Sequence, residues 1–313
     1  MPKTIQTPTA AESGEQRLSQ SRKNGMLFAA VAAGSVKEVQ AALDAGGAAM
    51  FPNPENGMTA LMQAAKAGDA QKVAALLPFS DPAQRTVKDG VSGHTALIWA
   101  MAQGHLPCVE LLAPKTPASL AYDSDQKNAL MFAASRGRAD CVKILLPFFD
   151  CSETNKHGLT ALAFAAAFGR LECLRTLLPL SDANAADEDG ETPLMRAAAD
   201  GDVPSVELLL GASDPRAKNH DGKNAFDHAV ALRRWPAADL LSEFAPDQRV
   251  AEVFATAGRE KLPRCAARME AKELESMVFA ESSKNRNPAE KDSAPQNAEL
   301  ARPCAAKRPA RAL

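Results

Sequence analysis

"TALMQAAKAGDAQKVAALLP" (59–78) returns as "TALIWAMAQGHLPCVELLAP" (95–114) and again as "TALAFAAAFGRLECLRTLLP" (160–179). A catalytic motif is normally written once, whereas a phrase that recurs is a unit that needs its neighbours. Aligned on the glycine inside the phrase, Gly34, Gly68, Gly104, Gly137, Gly169 and Gly201 fall in register, with Arg233 in the seventh place. The intervals are 34, 36, 33, 32, 32 and 32 residues. Periodicity of this size signals stacked supersecondary units, each covering the apolar face of the next.

Each unit reads as two short helices. Leu61, Leu97, Leu130, Leu162 and Leu194 recur in the first half, with small pairs at Ala64–Ala65, Ala133–Ala134, Ala165–Ala166 and Ala197–Ala198. After the glycine a second apolar stripe follows, as in Val109, Leu111 and Leu112 or Val142, Ile144, Leu145 and Leu146. Apolar spacings of three and four residues predict amphipathic helices. The first helix opens at Thr59, Thr95, Asn128, Thr160, Thr192 and Asn224. All six can accept a hydrogen bond from the unpaired N–H groups of a first turn. The glycine suits a left-handed residue after a helix. Pro193 follows its cap at the one helical position that tolerates proline.

With the cap, the leucine, the small pair and the glycine in place, "GETPLMRAAADGDVPSVELLL" (190–210) resembles the ankyrin-repeat motif, T-P-L-H-x-A. The resemblance covers roughly residues 24–244 as about seven units, the first and last degenerate. It implies an all-α solenoid that binds a protein partner through hairpin tips and the face of the first helices. One departure is systematic: the family's histidine is replaced by Met62, Ile98, Met131, Ala163 and Met195. Tetratricopeptide repeats share the period but want bulky aromatics that no unit here has.

Outside the array, residues 1–23 read as a flexible N-terminal arm. Residues 245–281 read as a C-terminal helical extension that docks on the array, with Pro263 at a helix start and Leu262, Met269, Leu274, Met277 and Val278 as apolar contacts. Residues 282–313, with seven Lys or Arg against three Asp or Glu, read as a disordered basic tail. In the seventh unit Asp227, Arg233 and Arg234 suit an exposed end.

Composition narrows the function. A formal net charge of −2 gives no reason to expect nucleic acid or an anionic membrane. The first residues lack the apolar core of a secretory signal, and the run "ALAFAAAF" (161–168) is too short to span a bilayer. Six cysteines without paired spacing fit a reducing compartment, so the expectation is a cytoplasmic monomer. The Ala-rich "LLPxSD" linkers have a bacterial flavour. Cys108, Cys141 and Cys173 hold one register position in three repeats and read as core. His94, His105, His157, His220 and His228 are scattered, and no hydrolase, zinc or phosphate-binding motif occurs. No catalytic residue, metal or cofactor is expected.

What varies between units is the surface. The positions that the resemblance assigns to partner binding are Tyr122, Lys127, Arg136, His157, Leu159 and Phe168, apolar, aromatic or basic, followed by acidic Glu188, Asp189, Glu191 and Asp200. Phe168 stands among polar register neighbours, Gln103, Arg136 and Asp200. The expected function is an interaction scaffold or adaptor. The alternatives are a regulatory or inhibitory enzyme subunit, or a translocated effector using its tail as a signal.

Overall fold

The computed structural model describes residues 10–85, 93–117, 126–258 and 260–272. Every regular element among them is helical. Seven helix pairs follow one another: α1 (Ala10–Ala33) and α2 (Val36–Asp44), α3 (Ala60–Ala67) and α4 (Ala70–Leu76), α5 (Ala96–Gln103) and α6 (Leu106–Leu112), α7 (Ala129–Arg136) and α8 (Ala139–Leu145), α9 (Ala161–Ala167) and α10 (Leu171–Leu177), α11 (Pro193–Asp200) and α12 (Val203–Leu210), α13 (Ala225–Ala231) and α14 (Trp235–Leu241). These are repeats 1 to 7. First helices pack on first helices and second on second, giving two layers with the apolar core between them.

The sequence dictates how each pair is closed. All six predicted caps accept from the backbone N–H three residues on: Thr59 from Met62 (3.3 Å), Thr95 from Ile98 (3.4 Å), Asn128 from Met131 (2.9 Å), Thr160 from Ala163 (3.2 Å), Thr192 from Met195 (3.4 Å) and Asn224 from Asp227 (3.0 Å). The caps are themselves buried, so each bond satisfies two groups that water cannot reach. The positions where a family histidine would stand, Met62, Ile98, Met131, Ala163 and Met195, are buried apolar residues and join the core.

The register glycines are left-handed from Gly68 onward, with φ between 59° and 87°. Gly34 is the exception: it lies outside the left-handed region, and its need is space. A Cβ there would sit 2.3 Å from Glu38 Oε2 and 2.8 Å from the Ala30 carbonyl oxygen, because Ser35 immediately caps α2 in a reciprocal box with Glu38. The two non-glycine residues with positive φ among those described are Gln126 (59°) and Arg233 (56°). Both stand where other repeats place glycine, Arg233 after the first helix and Gln126 in the hairpin loop beside Gly158, Gly190 and Gly222. A side chain in this region costs roughly 1–2 kcal/mol.

Leu61, Leu97, Leu130, Leu162 and Leu194 are completely covered, as are the alanine pairs beside them, which lets neighbouring first helices approach. Cys108, Cys141 and Cys173 are buried thiols in the second-helix layer, and burial pushes Cys173 up to about 11. At the N-terminus α1 begins at Ala10, so residues 10–23 are helical where a flexible arm was expected. The run is rich in Ala, Glu, Gln and Arg, and a helix already nucleated by the packed turns of repeat 1 propagates through such residues. Gln20 donates to the Gly46 carbonyl (3.0 Å), and Asn24 accepts from the Ala48 N–H (2.9 Å). At the other end α15 (Asp247–Ala257) buries Val250 and Val253, and its Arg249 meets Asp227 of α13 at 3.1 Å. Asp239 of α14, buried, accepts from the Arg264 and Cys265 N–H groups (3.0 Å each) at the start of a helix over 263–272. Leu262 is fully buried, whereas Leu274, Met277, Val278 and the basic tail lie outside the described residues.

Candidate functional site

Two columns of side chains run along the first-helix layer from repeat 2 to repeat 7. The residue before each cap gives Met58, His94, Lys127, Leu159, Glu191 and Lys223; the residue four after it gives Gln63, Trp99, Phe132, Phe164, Arg196 and His228. The helical period places this second column, and the exposed residues one turn further on, along the same side of each first helix.

In repeats 3 to 5 the second column is aromatic. Phe132 and Phe164 are only 7% and 6% exposed, and Trp99 is half-buried. Cationic and imidazole side chains lie over them. Lys66 Nζ is 4.8 Å from the Trp99 ring centroid, Arg136 Cζ 5.2 Å from Phe132, and Lys127 Nζ 5.4 Å from Phe164. His94 meets Trp99 and Phe132 edge-on at 5.5 and 5.8 Å. Lys66, His94 and Lys127 each contact a ring of the following repeat, so the contacts stitch neighbours together. Cation–ring contacts at exposed sites contribute about 0.5–1 kcal/mol each.

In repeats 6 and 7 the same columns are ionic. The Asp187 side chain, 2% exposed, accepts from the Asp189 and Glu191 N–H groups (3.0 and 2.9 Å) and from Arg196 through Nε (2.9 Å) and Nη2. Arg196 also meets Glu191 at 3.3 Å, and Glu191 lies 3.6 Å from His228 Nε2. Asn155 and Asn219 hold their hairpin loops through side-chain oxygens just as Asp187 does. Loop-to-loop bonds from Glu188 N to His157 O (3.2 Å) and from His220 N to Asp189 O (3.0 Å) join successive tips.

The six residues marked by the sequence fare differently. Lys127 and Arg136 come together with the aromatic floor. Phe168 ends α9 half-exposed at 50%. His157 is exposed in a hairpin loop with Nδ1 4.0 Å from Glu188 Oε2, and Leu159 is half-buried against the core. Tyr122 lies outside the described residues. Trp99, Phe132 and Phe164 were missed. Their signal was an aromatic four residues after three consecutive caps, hidden because each reads locally as one more apolar residue of an amphipathic helix. Lys66 and His94 were missed with them.

No group of three or more His, Cys, Asp or Glu among the described residues could hold a metal ion, and none of their helices is long and apolar enough to cross a membrane. The face offers aromatic area, fixed cations and an exposed phenylalanine, which is chemistry for recognition.

The model for "Ankyrin repeats (3 copies)" matches residues 26–123 and 117–187, and that for "Ankyrin repeat" matches residues 189–220. Among solved structures, the human ASB11 ankyrin repeat domain is similar, with a TM-score of 0.57 and 25% identity over 69% of this chain and 96% of that one. A comparison with curated proteins returned no match. The repeat unit, its caps and glycines, and family matches spanning more than half of the chain agree: this chain belongs to the ankyrin-repeat family.

Proposed function

We propose that the chain is a protein-interaction scaffold without chemistry of its own, and that its partner seats on the first-helix face of repeats 2 to 5. The observation that carries this is the aromatic floor of Trp99, Phe132 and Phe164, overlaid by Lys66, Lys127 and Arg136 and flanked by the exposed Phe168. Aromatic and arginine anchors over a packed base are the usual composition of a binding hot spot. The test is affinity capture from native lysate with wild type beside a Lys127→Ala, Arg136→Ala, Phe168→Ala variant, circular dichroism verifying its helicity. A partner retained by wild type and lost by the variant supports the assignment. Equal capture moves the site to the hairpin loops of repeats 6 and 7 or to the C-terminal extension.

A further inference from the structure

Resting on that reading, we infer that the segment seated on repeats 2 to 5 is acidic. It is an extended stretch of a partner protein carrying carboxylates about six residues apart and an apolar side chain where it meets Phe168.

The charge on this face is one-sided. Helices α3, α5, α7 and α9 together carry two ionised side chains, Lys66 and Arg136, and no carboxylate. Both are exposed at the glycine end of their helices. The turns beside them hold Asp69, whose carboxylate caps α4 and pairs with Lys72 (3.3 Å), then His105, which bonds back to Lys66 O (3.1 Å), and Arg138 and Arg170, which donate back to Ala102 O (3.4 Å) and Ser135 O (3.2 Å). The two arginine bonds fix cationic groups in the turns beside that face.

The rings beneath matter as much as the charge. A free surface lysine or arginine loses rotamer freedom when a ligand immobilises it. Lys66 and Arg136 already rest on Trp99 and Phe132, so part of that loss is incurred in folding. Arg196 is the contrasting case, since Asp187 and Glu191 engage its guanidinium. Further along, the sign reverses. Asp200 is exposed one helix beyond Phe168, close enough that a Cβ on Gly169 would lie 2.9 Å from its Oδ2, and exposed Glu188 and Asp189 occupy the adjacent hairpin. A row of carboxylates running along repeats 2 to 5 therefore ends at Phe168.

Spacing follows from the stacking. Packed helices lie about 10 Å apart at most, and an extended chain advances about 3.3 Å per residue. Lys66 and Arg136 stand two repeats apart, about 20 Å at most, so the carboxylates that meet them are separated by about six residues.

The experiment is selection of random twelve-residue peptides, displayed on phage, against the full chain. Binding of the winners is then read by fluorescence polarisation to wild type and to Lys66→Glu/Arg136→Glu, Lys66→Gln/Arg136→Gln and Phe168→Ala variants, with circular dichroism as the folding control. The expected winners are net negative, with carboxylates about six residues apart. Their affinity falls at least tenfold on charge reversal and less on neutralisation. Neutral or basic winners overturn the inference, as do acidic winners that bind the charge-reversed variant equally well. If winners are neutral but weaken with Phe168→Ala, the acidic assignment fails and the binding face stands. If no peptide is enriched, or none responds to any variant, both fail. A single-stranded 20-mer RNA that displaces the winners at equal or lower concentration reassigns the cations to nucleic acid and overturns the inference as well.

Discussion

In repeats 3 to 5 the positions before and four after each cap hold His94 and Trp99, Lys127 and Phe132, Leu159 and Phe164; in repeats 6 and 7 they hold Glu191 and Arg196, Lys223 and His228. The backbone is the same, down to cap bonds of similar length and left-handed hairpin glycines at Gly158, Gly190 and Gly222. What differs is where charge ends up. The later repeats bring opposite charges together on one buried carboxylate, Asp187, and its hydrogen-bonded surroundings. The earlier ones place cations on ring faces. A network that closes on itself fixes the geometry of its hairpins, while a cation resting on a ring ties that side chain to an aromatic face. The scaffold accepts either filling because neither column supplies the capping side chains or the register leucines, although Phe132 and Phe164 extend the apolar core that those leucines build.

The contrast can be broken at each end. Phe164→Ala removes a nearly buried ring from the floor and should cost about 3–4 kcal/mol in urea unfolding. Phe168→Ala, four residues on and half-exposed, should stay within about 0.5 kcal/mol of wild type. Comparable losses would mean that the floor is not a packed base. Asp187→Ala strands two loop N–H groups and Arg196, and should cost about 2–3 kcal/mol. Asp187→Asn, which keeps an acceptor for the loop, should lose less, and a loss as large as that of Ala would show that the ion pair dominates. Asn128→Ala, which removes a buried cap from repeat 4, should cost about 1 kcal/mol by the same measurement. Arg233→Gly relieves a left-handed arginine and should stabilise the C-terminal repeat by about 1 kcal/mol, read as slower amide exchange in α13 and α14. Unchanged exchange there would show that the strain is compensated locally.

Much of the fold was legible because its determinants are local. A threonine or asparagine at a cap, a glycine after a helix and a leucine in fixed register each act within a few residues, and the period multiplied the signal. Gly34 shows the limit of that logic: its register was right, but its role is close approach rather than left-handed conformation. Residues 10–23 show another, since a polar run that could stand as a loose arm becomes helix when the turns after it are packed. The site was less legible because its contacts cross repeats. Lys66 meets Trp99 across 33 positions of chain, and Lys127 meets Phe164 across 37, and no single stretch contains both partners. Arg136 and Phe168 were found because exposed positions at the end of a first helix can be read one unit at a time.

The bonds that run backward across the turns give the array a direction of manufacture. Lys72 donates to the carbonyl of Val31, Arg138 to Ala102, Arg170 to Ser135 and Arg234 to Ala199, so the end of a helix in one unit is finished by a residue that the ribosome adds later. While those units are being added, a nascent chain therefore carries an unfinished helix end at its growing edge. At repeat 6 the pattern changes, because Asp202 cannot donate and instead caps its own helix through Ser205. Repeat 5 therefore does not wait for a clamp from the residue after Gly201, although α9 still packs on α11 and the Glu188 N–H still bonds the His157 carbonyl across that junction.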